Sequence, residues 1–393
     1  MDPLPLLQDL IRIPSVNPMG RDLSGPEFFE TRVTEYLCEF FRRLQVPFET
    51  QEIGPGRMNV VARLDAPGRE SAGTVILDAH QDTVPIDGMT IPPFEPRLDG
   101  NRLYGRGSCD VKGGLAAMLT AFARLATRPS ALRRSVVMCC TADEEYQAHG
   151  VNRLVKSWSP EGRDGGCRLL RERPVAAIVA EPTDLDLVVA HRGATRWKIV
   201  THGRACHSSE PQLGVNAIYR MAQIVRHLEE YAVLLPTQKP AHPLCGPSTL
   251  SVGRIEGGQS VNIVPDRCEI EIDRRVIPGE DSLGVMDELK NYLKERVEFE
   301  FEMLPPWIVG LALGDQDNGP LADELLRTIT AQVGPRRKIG VPYGTNASRY
   351  SAAGVPSVVF GPGSIRQAHT KDEWVPVEEL RQAANILESM LSG

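Results

Sequence analysis

Residues 77–114 read LDAHQDTVPIDGMTIPPFEPRLDGNRLYGRGSCDVKGG. An apolar run, TVILDA, leads into His80-Gln81-Asp82. In an extended chain, residues two apart project to the same side, so the side chains of His80 and Asp82 can meet. A metal-ligating imidazole usually gives its second N–H to a carboxylate, which sets its tautomer and ring direction. His-x-Asp at a strand end supplies that pair. Further on, Asp110 stands where a turn becomes a glycine-led helix. The stretch therefore reads as half of a metal site, and the rest of the chain must supply the other half.

Three more apolar runs end in metal-type ligands. SVVMCCTA (135–142) runs into Asp143-Glu144-Glu145, and VAAIVA (175–180) runs into Glu181. PSVVFGPG (356–363) is followed, after a loop, by Ala368-His369. In open α/β sheets, sites form at the carboxyl ends of the strands, so residues spread from 80 to 369 can converge on one edge. Any one of these elements alone is weak, since surface Glu-Glu pairs usually face water. Together they offer two histidines and three or four carboxylates, a set that suits two adjacent zinc-like ions with a bridging carboxylate. Five converging carboxylates would repel one another strongly without cations. Neighbours in an extended segment face opposite ways, so the chain must turn at Glu144 and Glu145. One of the two should bind metal and the other should move protons.

Outward from these runs, elements alternate. Helical spacing marks 4–13, 27–44 and 113–126, with strands at 48–53, 58–64, 74–78, 135–142 and 175–180. Gly-Pro-Gly at 54–56 turns the first pair. This order predicts a three-layer α/β domain. Beyond residue 186 the texture changes. A strand at 194–201, a helix at 214–231, strands at 248–255 and 266–276, a helix at 282–296 and a strand at 297–303 give the β-α-β-β-α-β order of a ferredoxin-like α+β module. Residues 235–247 are proline-rich and read as a loop. The α/β texture then resumes with helices at 320–333 and 376–391 and a strand at 357–360. The reading is a discontinuous catalytic domain, residues 1–188 and 302–393, interrupted by an inserted domain at 189–301.

The chain has 393 residues, 41% apolar and 24% charged, with a net charge of −7. That is an ordinary globular composition, and the acidic balance argues against nucleic acid or an anionic membrane as the main partner. No run is long enough to span a bilayer as a helix, and the N-terminus lacks the basic and apolar regions of a secretory signal. The eight cysteines form no C-x-x-C pair and read as reduced, mostly buried thiols of a cytoplasmic protein. There is no G-x-S-x-G elbow, Walker A loop or H-E-x-x-H, and GRGSCDVKGG ends in Asp where a dinucleotide loop needs Gly.

Taken in order, LDAHQDTVP, LYGRGSCDVKGG, TADEE, AEPT, HGRACHSSEPQLGVNAI and GPGSIRQAHTKDEWV resemble the dinuclear zinc amidohydrolase/exopeptidase family. That family includes acetylornithine deacetylase, succinyl-diaminopimelate desuccinylase, aminoacylase and glutamate carboxypeptidase. The resemblance covers essentially the whole chain, and SSEPQLGVNAI and GPGSIRQAH look closest to acetylornithine deacetylase. It implies a zinc-exopeptidase-like catalytic domain with an inserted lid and dimerisation domain, and two Zn²⁺ per subunit for which Co²⁺ can substitute. By the same resemblance, His80 and Glu181 are ligands of one zinc, Glu145 and His369 of the other, and Asp110 bridges them, with a cis peptide after it. Asp82 orients His80, Glu144 is the general base, and His207 reaches into the partner subunit's site of a homodimer to stabilise the oxyanion. Asn262 and Arg275 hold substrate, the arginine facing its α-carboxylate. Arg274 is the alternative to Arg275, since only one can face the site.

The implied activity is hydrolysis of the amide bond of an N-acyl amino acid. A di- or tripeptidase, a carboxypeptidase or a desuccinylase of the same family is the alternative, and a non-catalytic metal-binding homologue the remote one. One departure stands out: the family often carries Gly-Thr-Asp-Ala where this chain has Gly344-Thr345-Asn346-Ala347. Histidines 149, 191, 202, 227 and 242 read as surface or satisfied polar residues.

Overall fold

A computed structural model describes residues 1–69, 72–159 and 166–393. The chain forms two compact units. The larger contains Met1–Val189, Asp315–Ile339 and Thr345–Gly393; the smaller contains Ala190–Gly314 and Gly340–Gly344. The return to the larger unit thus lies later than residue 302. Phe301–Met303 and Ile308–Val309 both pair with Gly193–His202, and this keeps the chain in the smaller unit through residue 314.

The larger unit is built on an eight-stranded sheet. Its order is Phe48–Gly54, Arg57–Leu64, Ser135–Thr141, Thr74–His80, Ala176–Val179, Ser357–Val359, Leu187–His191 and Lys338–Val341. The four strands that precede candidate ligands are neighbours in this order. Thr74–His80 runs parallel to both Ser135–Thr141 and Ala176–Val179, and Ala176–Val179 runs parallel to Ser357–Val359. Parallel pairing puts their carboxyl ends on one edge, with His80 opposite Thr141.

Both faces of these strands are buried, which explains the continuous apolar runs. Val75, Leu77, Val136 and Met138 join a core with Leu7, Leu37, Phe41, Leu115, Phe122 and Leu387 from helices Pro3–Arg12, Thr31–Arg43, Lys112–Ala126 and Val377–Leu391. Phe41 and Phe122 meet edge to face at 5.7 Å. The opposite face is covered by shorter pieces that the sequence did not announce, His149–Leu154 and Ala347–Ala352, with Trp158 stacked on Tyr350. The result is a three-layer α/β unit. The helix expected at 27–44 begins only at Thr31, because Phe29 has a positive φ of 63°. All eight cysteines are unpaired, and none is fully exposed. Among the described residues, no helix is long and apolar enough to cross a membrane.

In the smaller unit, Thr249–Gly257, Arg267–Val276, Gly193–His202 and Phe301–Met303 lie side by side in that order, all antiparallel. This is the ferredoxin-like arrangement. Trp197, Ile199, Ile270 and Ile272 face helices Ala217–Gln238 and Gly284–Lys294. Ala217–Gln238 is longer than its apolar periodicity suggested and takes in the start of the proline-rich stretch. Pro236 sits in its last turn, where the one hydrogen bond it cannot donate costs little, and the Lys239 N–H still reaches the Leu235 carbonyl. Asn216 caps the other end, accepting from the N–H groups of Ile218 and Tyr219. The strand expected at 297–303 is short, Phe301–Met303.

Candidate metal centre

Strand ends and two loops bring six candidate residues of the larger unit together. Single ligand atoms of His80, Asp110 and Glu181 lie within 4.8 Å of one another, and the same holds for Asp110, Glu145 and His369. Asp110 belongs to both groups. Its Oδ1 is 3.2 Å from His80 Nε2 and its Oδ2 is 3.2 Å from His369 Nε2. His369 Nε2 is also 3.3 Å from Glu145 Oε2. Glu144 is in neither group.

His80 is buried at the end of its strand. Its Nδ1–H donates to the main-chain carbonyl of Asp82 at 2.9 Å, which leaves Nε2 for the Asp110 side. The Asp82 carboxylate lies 3.6 Å from Nδ1, so the closer orienting contact is the carbonyl. The carboxylate does something else: Oδ1 accepts the N–H of Glu144 at 3.1 Å and Oδ2 that of Glu145 at 3.2 Å. The turn required at these residues is made by Asp143, whose φ is +65°.

Asp110 is delivered by a loop packed tightly under helix Lys112–Ala126. A Cβ on Gly113 would stand 2.4 Å from the Ser108 carbonyl oxygen, and one on Gly114 would stand 2.7 Å from Ala180 Cβ. Only glycines allow this approach. The Asp110–Val111 peptide is cis. Glu373, fully buried, holds the loop: Oε1 accepts from the N–H groups of Cys109 and Asp110, and Oε2 from Gly107 N–H and Arg106 Nη1. Glu373 follows His369 closely in sequence, so one segment supplies a candidate ligand and the clamp for another.

The electrostatics ask for cations. Burial pushes Glu181 well above the usual carboxylate range, and the charges of Asp110 and Glu144 push the same way. Burial lifts Glu144 to about 8; His80 opposes the shift, while Glu145, Asp82 and Asp110 add to it. Glu145 is raised by burial and by Asp110. The hydrogen bonds to Asp110 and Glu145 raise His369 to about 11. For His80, burial disfavours the charged form, but the Asp110 hydrogen bond and nearby carboxylates outweigh it. The surrounding carboxylates thus push both imidazoles toward their protonated forms. Glu145 Oε1 is buried without a hydrogen-bond partner. An orphaned carboxylate oxygen beside two His/carboxylate donor sets fits a pair of divalent cations sharing Asp110. Cations there would favour the ionised form of every carboxylate around them.

The profile of Peptidase family M20/M25/M40 matches residues 76–393. The chain belongs to the M20 family. It is 30% identical over 393 residues to acetylornithine deacetylase from Pectobacterium carotovorum, covering 98% of this chain and 96% of that one. The M20 metallo-carboxypeptidase of Sulfolobus solfataricus has the same fold, with a TM-score of 0.78, 18% identity and coverage of 100% and 99%. So has a Bacillus subtilis protein described as a dinuclear metal-binding M20 peptidase, with a TM-score of 0.68, 17% identity and coverage of 99% and 96%. The resemblance read from the six motifs is therefore a true family relationship. As an M20 protein, the chain is a metal-dependent hydrolase of amide bonds.

The remaining expected site residues lie in the smaller unit. His207 is exposed. Its Nδ1 accepts Ser209 N–H at 3.2 Å and is 2.7 Å from Ser209 Oγ. Asn262 Oδ1 accepts from Ser260 Oγ, and the Asn262 carbonyl accepts Ser208 N–H, so the loops of His207 and Asn262 are tied together. Arg275 is on the open face of the sheet, its Nε donating to Asp273 Oδ1 at 2.7 Å. Arg274 is buried and paired with Glu280 at 2.6 Å.

Asn346 is 2% exposed. Its Nδ2 donates to Asp78 Oδ2 and to Thr141 Oγ1, at 3.0 Å each. An acid here would face the Asp78 carboxylate, which burial already lifts to about 6 against the hydrogen bonds of Asn346 and Thr141. The amide thus suits the support of the His80 strand.

Sequence reasoning passed over Asn17, Glu30, Arg57, Glu373 and the structural part of Asp143. Each is a polar residue whose partner is distant in the chain, and no spacing rule flags such a pair.

Proposed function

We propose that this M20 hydrolase removes the acyl group from an N-acyl amino acid of the acetylornithine type, acting as a cytoplasmic homodimer with two Zn²⁺ per subunit that Co²⁺ can replace. The observation that carries the reading is the pair of donor sets sharing Asp110 with Glu144 outside both. His80, Asp110 and Glu181 would hold one ion and Asp110, Glu145 and His369 the other. When bound, such a pair supplies Lewis-acid polarisation of the scissile carbonyl and acidifies water.

Glu144 takes a proton from the attacking water and passes it to the leaving nitrogen. Asp82 keeps it in place through the turn N–H groups. Because His207 Nδ1 accepts the Ser209 N–H, a neutral imidazole carries its proton on Nε2. That N–H is free to meet the developing oxyanion in the role assigned to the partner subunit's His207. Asn262 and Arg275 would hold the substrate, with Arg275 releasing Asp273 to take an α-carboxylate. The unpaired cysteines support a reducing compartment, and near-full-length identity to acetylornithine deacetylase supports the acyl-amino-acid class.

A hydrolysis panel of acetylornithine, succinyl-diaminopimelate and dipeptides tests the substrate class: acetylornithine should be turned over fastest. Faster cleavage of dipeptides would replace the deacylase reading with a peptidase. For the shared site, His207→Ala mixed with Glu144→Ala should regain activity that neither variant shows alone. Verified heterodimers without recovery would remove His207 from the partner's site.

A further inference from the structure

We propose that Asn17 is a positioning residue for the general base, acting through Asp82 and Asp143; this rests on the base role proposed for Glu144. Asn17 lies in a segment that precedes the stretch matched by the family profile, and it is 1% exposed. Its Nδ2 donates to Asp82 Oδ2 at 2.9 Å and to Asp143 Oδ1 at 3.0 Å. Its Oδ1 accepts Met19 N–H at 3.0 Å, and its own N–H donates to the Thr83 carbonyl at 2.8 Å. Every polar group in this side chain has a fixed partner.

The two carboxylates it joins are fully buried, and both hold the turn that carries Glu144. Asp82 receives the N–H groups of Glu144 and Glu145. Asp143 supplies the left-handed residue and accepts from Arg57 Nη1 at 2.9 Å. Its own N–H donates to Glu30 Oε1 at 3.1 Å. Arg57 also pairs with Glu30, so one guanidinium serves two acids and none of its bonds reaches Asp82.

Asn17 separates Asp82 from Asp143. A primary amide is the one small neutral side chain that offers two N–H donors from a single atom. Without them two buried carboxylates face each other in a low-dielectric interior, where like charges repel strongly. Both carboxylates hold the turn that bears the base, so a shift of either moves it. A displacement of about 1 Å at a catalytic group costs about 10²-fold in rate.

Asn17→Asp keeps the size and removes both donors. Assayed as the full-length, metal-loaded protein on the fastest substrate of the panel, it should lose about 10–10²-fold in kcat per folded, metal-loaded molecule, with KM close to wild type, while the added buried charge lowers Tm. Asn17→Ser, which keeps one donor, should lose less. An unchanged kcat in Asn17→Asp overturns the proposal, as does a loss in both variants that only tracks lost metal or lost folded protein. If Asn17→Asp does not fold, an unchanged kcat in Asn17→Ser overturns it. Glu144→Gln measured alongside separates the two readings. Loss in Glu144→Gln alone rejects the Asn17 role, and an unchanged Glu144→Gln rejects the base assignment itself.

Discussion

Glu144→Ala lowers kcat by on the order of 10²–10⁴-fold while the bound metal stays. The geometry separates these two properties. Glu144 contributes no atom to either donor group, so its removal leaves both sets of ligands intact. Its main chain is fixed by the Asp82 carboxylate, so truncation beyond Cβ does not release the turn. What disappears is a carboxylate that adjoins the ligands of both groups without belonging to either, the one proposed to accept and return the proton. KM should change little, because proton transfer belongs to the transition state rather than to ground-state binding. Stopped assays with metal analysis on the same samples check this. A kcat equal to wild type, or a fall explained by lost metal, would take Glu144 out of the base role.

Removing the metals should abolish turnover and lower Tm, and adding Zn²⁺ or Co²⁺ to the chelated protein should restore both. Asp110, Glu144, Glu145 and Glu181 converge on one edge of the sheet, with His80 and His369 between them as a partial offset. Ions that bind the folded chain alone stabilise it by mass action, about 2.7 kcal/mol for a site filled at a hundred times its Kd. Ligands must be deprotonated to bind metal. In the metal-free site, the carboxylate partners push His80 and His369 toward their protonated forms. Loading therefore releases protons, and affinity falls as pH falls. Asp110→Ala should lose both ions together, because Asp110 faces both donor groups, whereas Glu181→Ala should lose one. Metal analysis and thermal melts read both outcomes. Full activity in demonstrably metal-free protein would end the two-metal reading.

Much of the larger unit was legible in the sequence because four of its strands are short, mostly apolar runs, three of them followed at once by a ligand type and the fourth after a loop. Continuous burial on both faces produced runs such as TVILDA and SVVMCCTA, and a parallel sheet has to send their carboxyl ends to one edge. The metal-type residues, the need for a turn at Glu144 and the order of the smaller unit all followed from local pattern. So did the family, because six motifs kept their order.

Tertiary structure alone decided what holds the site in shape. The partner of His80 Nδ1 is a carbonyl rather than the carboxylate two residues on, because the backbone bends after the strand. Asp82 instead serves the turn. Glu373 clamps the Asp110 loop from more than 260 residues away in the chain, and Asn17 joins Asp82 to Asp143 across 65 and 126 positions. Asn346 turns out to support Asp78 from behind the His80 strand. These are pairings of buried polar groups, each satisfied by a residue brought there by packing. Periodicity records which face of an element is apolar. It carries no record of which distant donor will reach a given acceptor. Residues 77–114 thus announce the chemistry of the site, and the contacts they make after folding set its geometry.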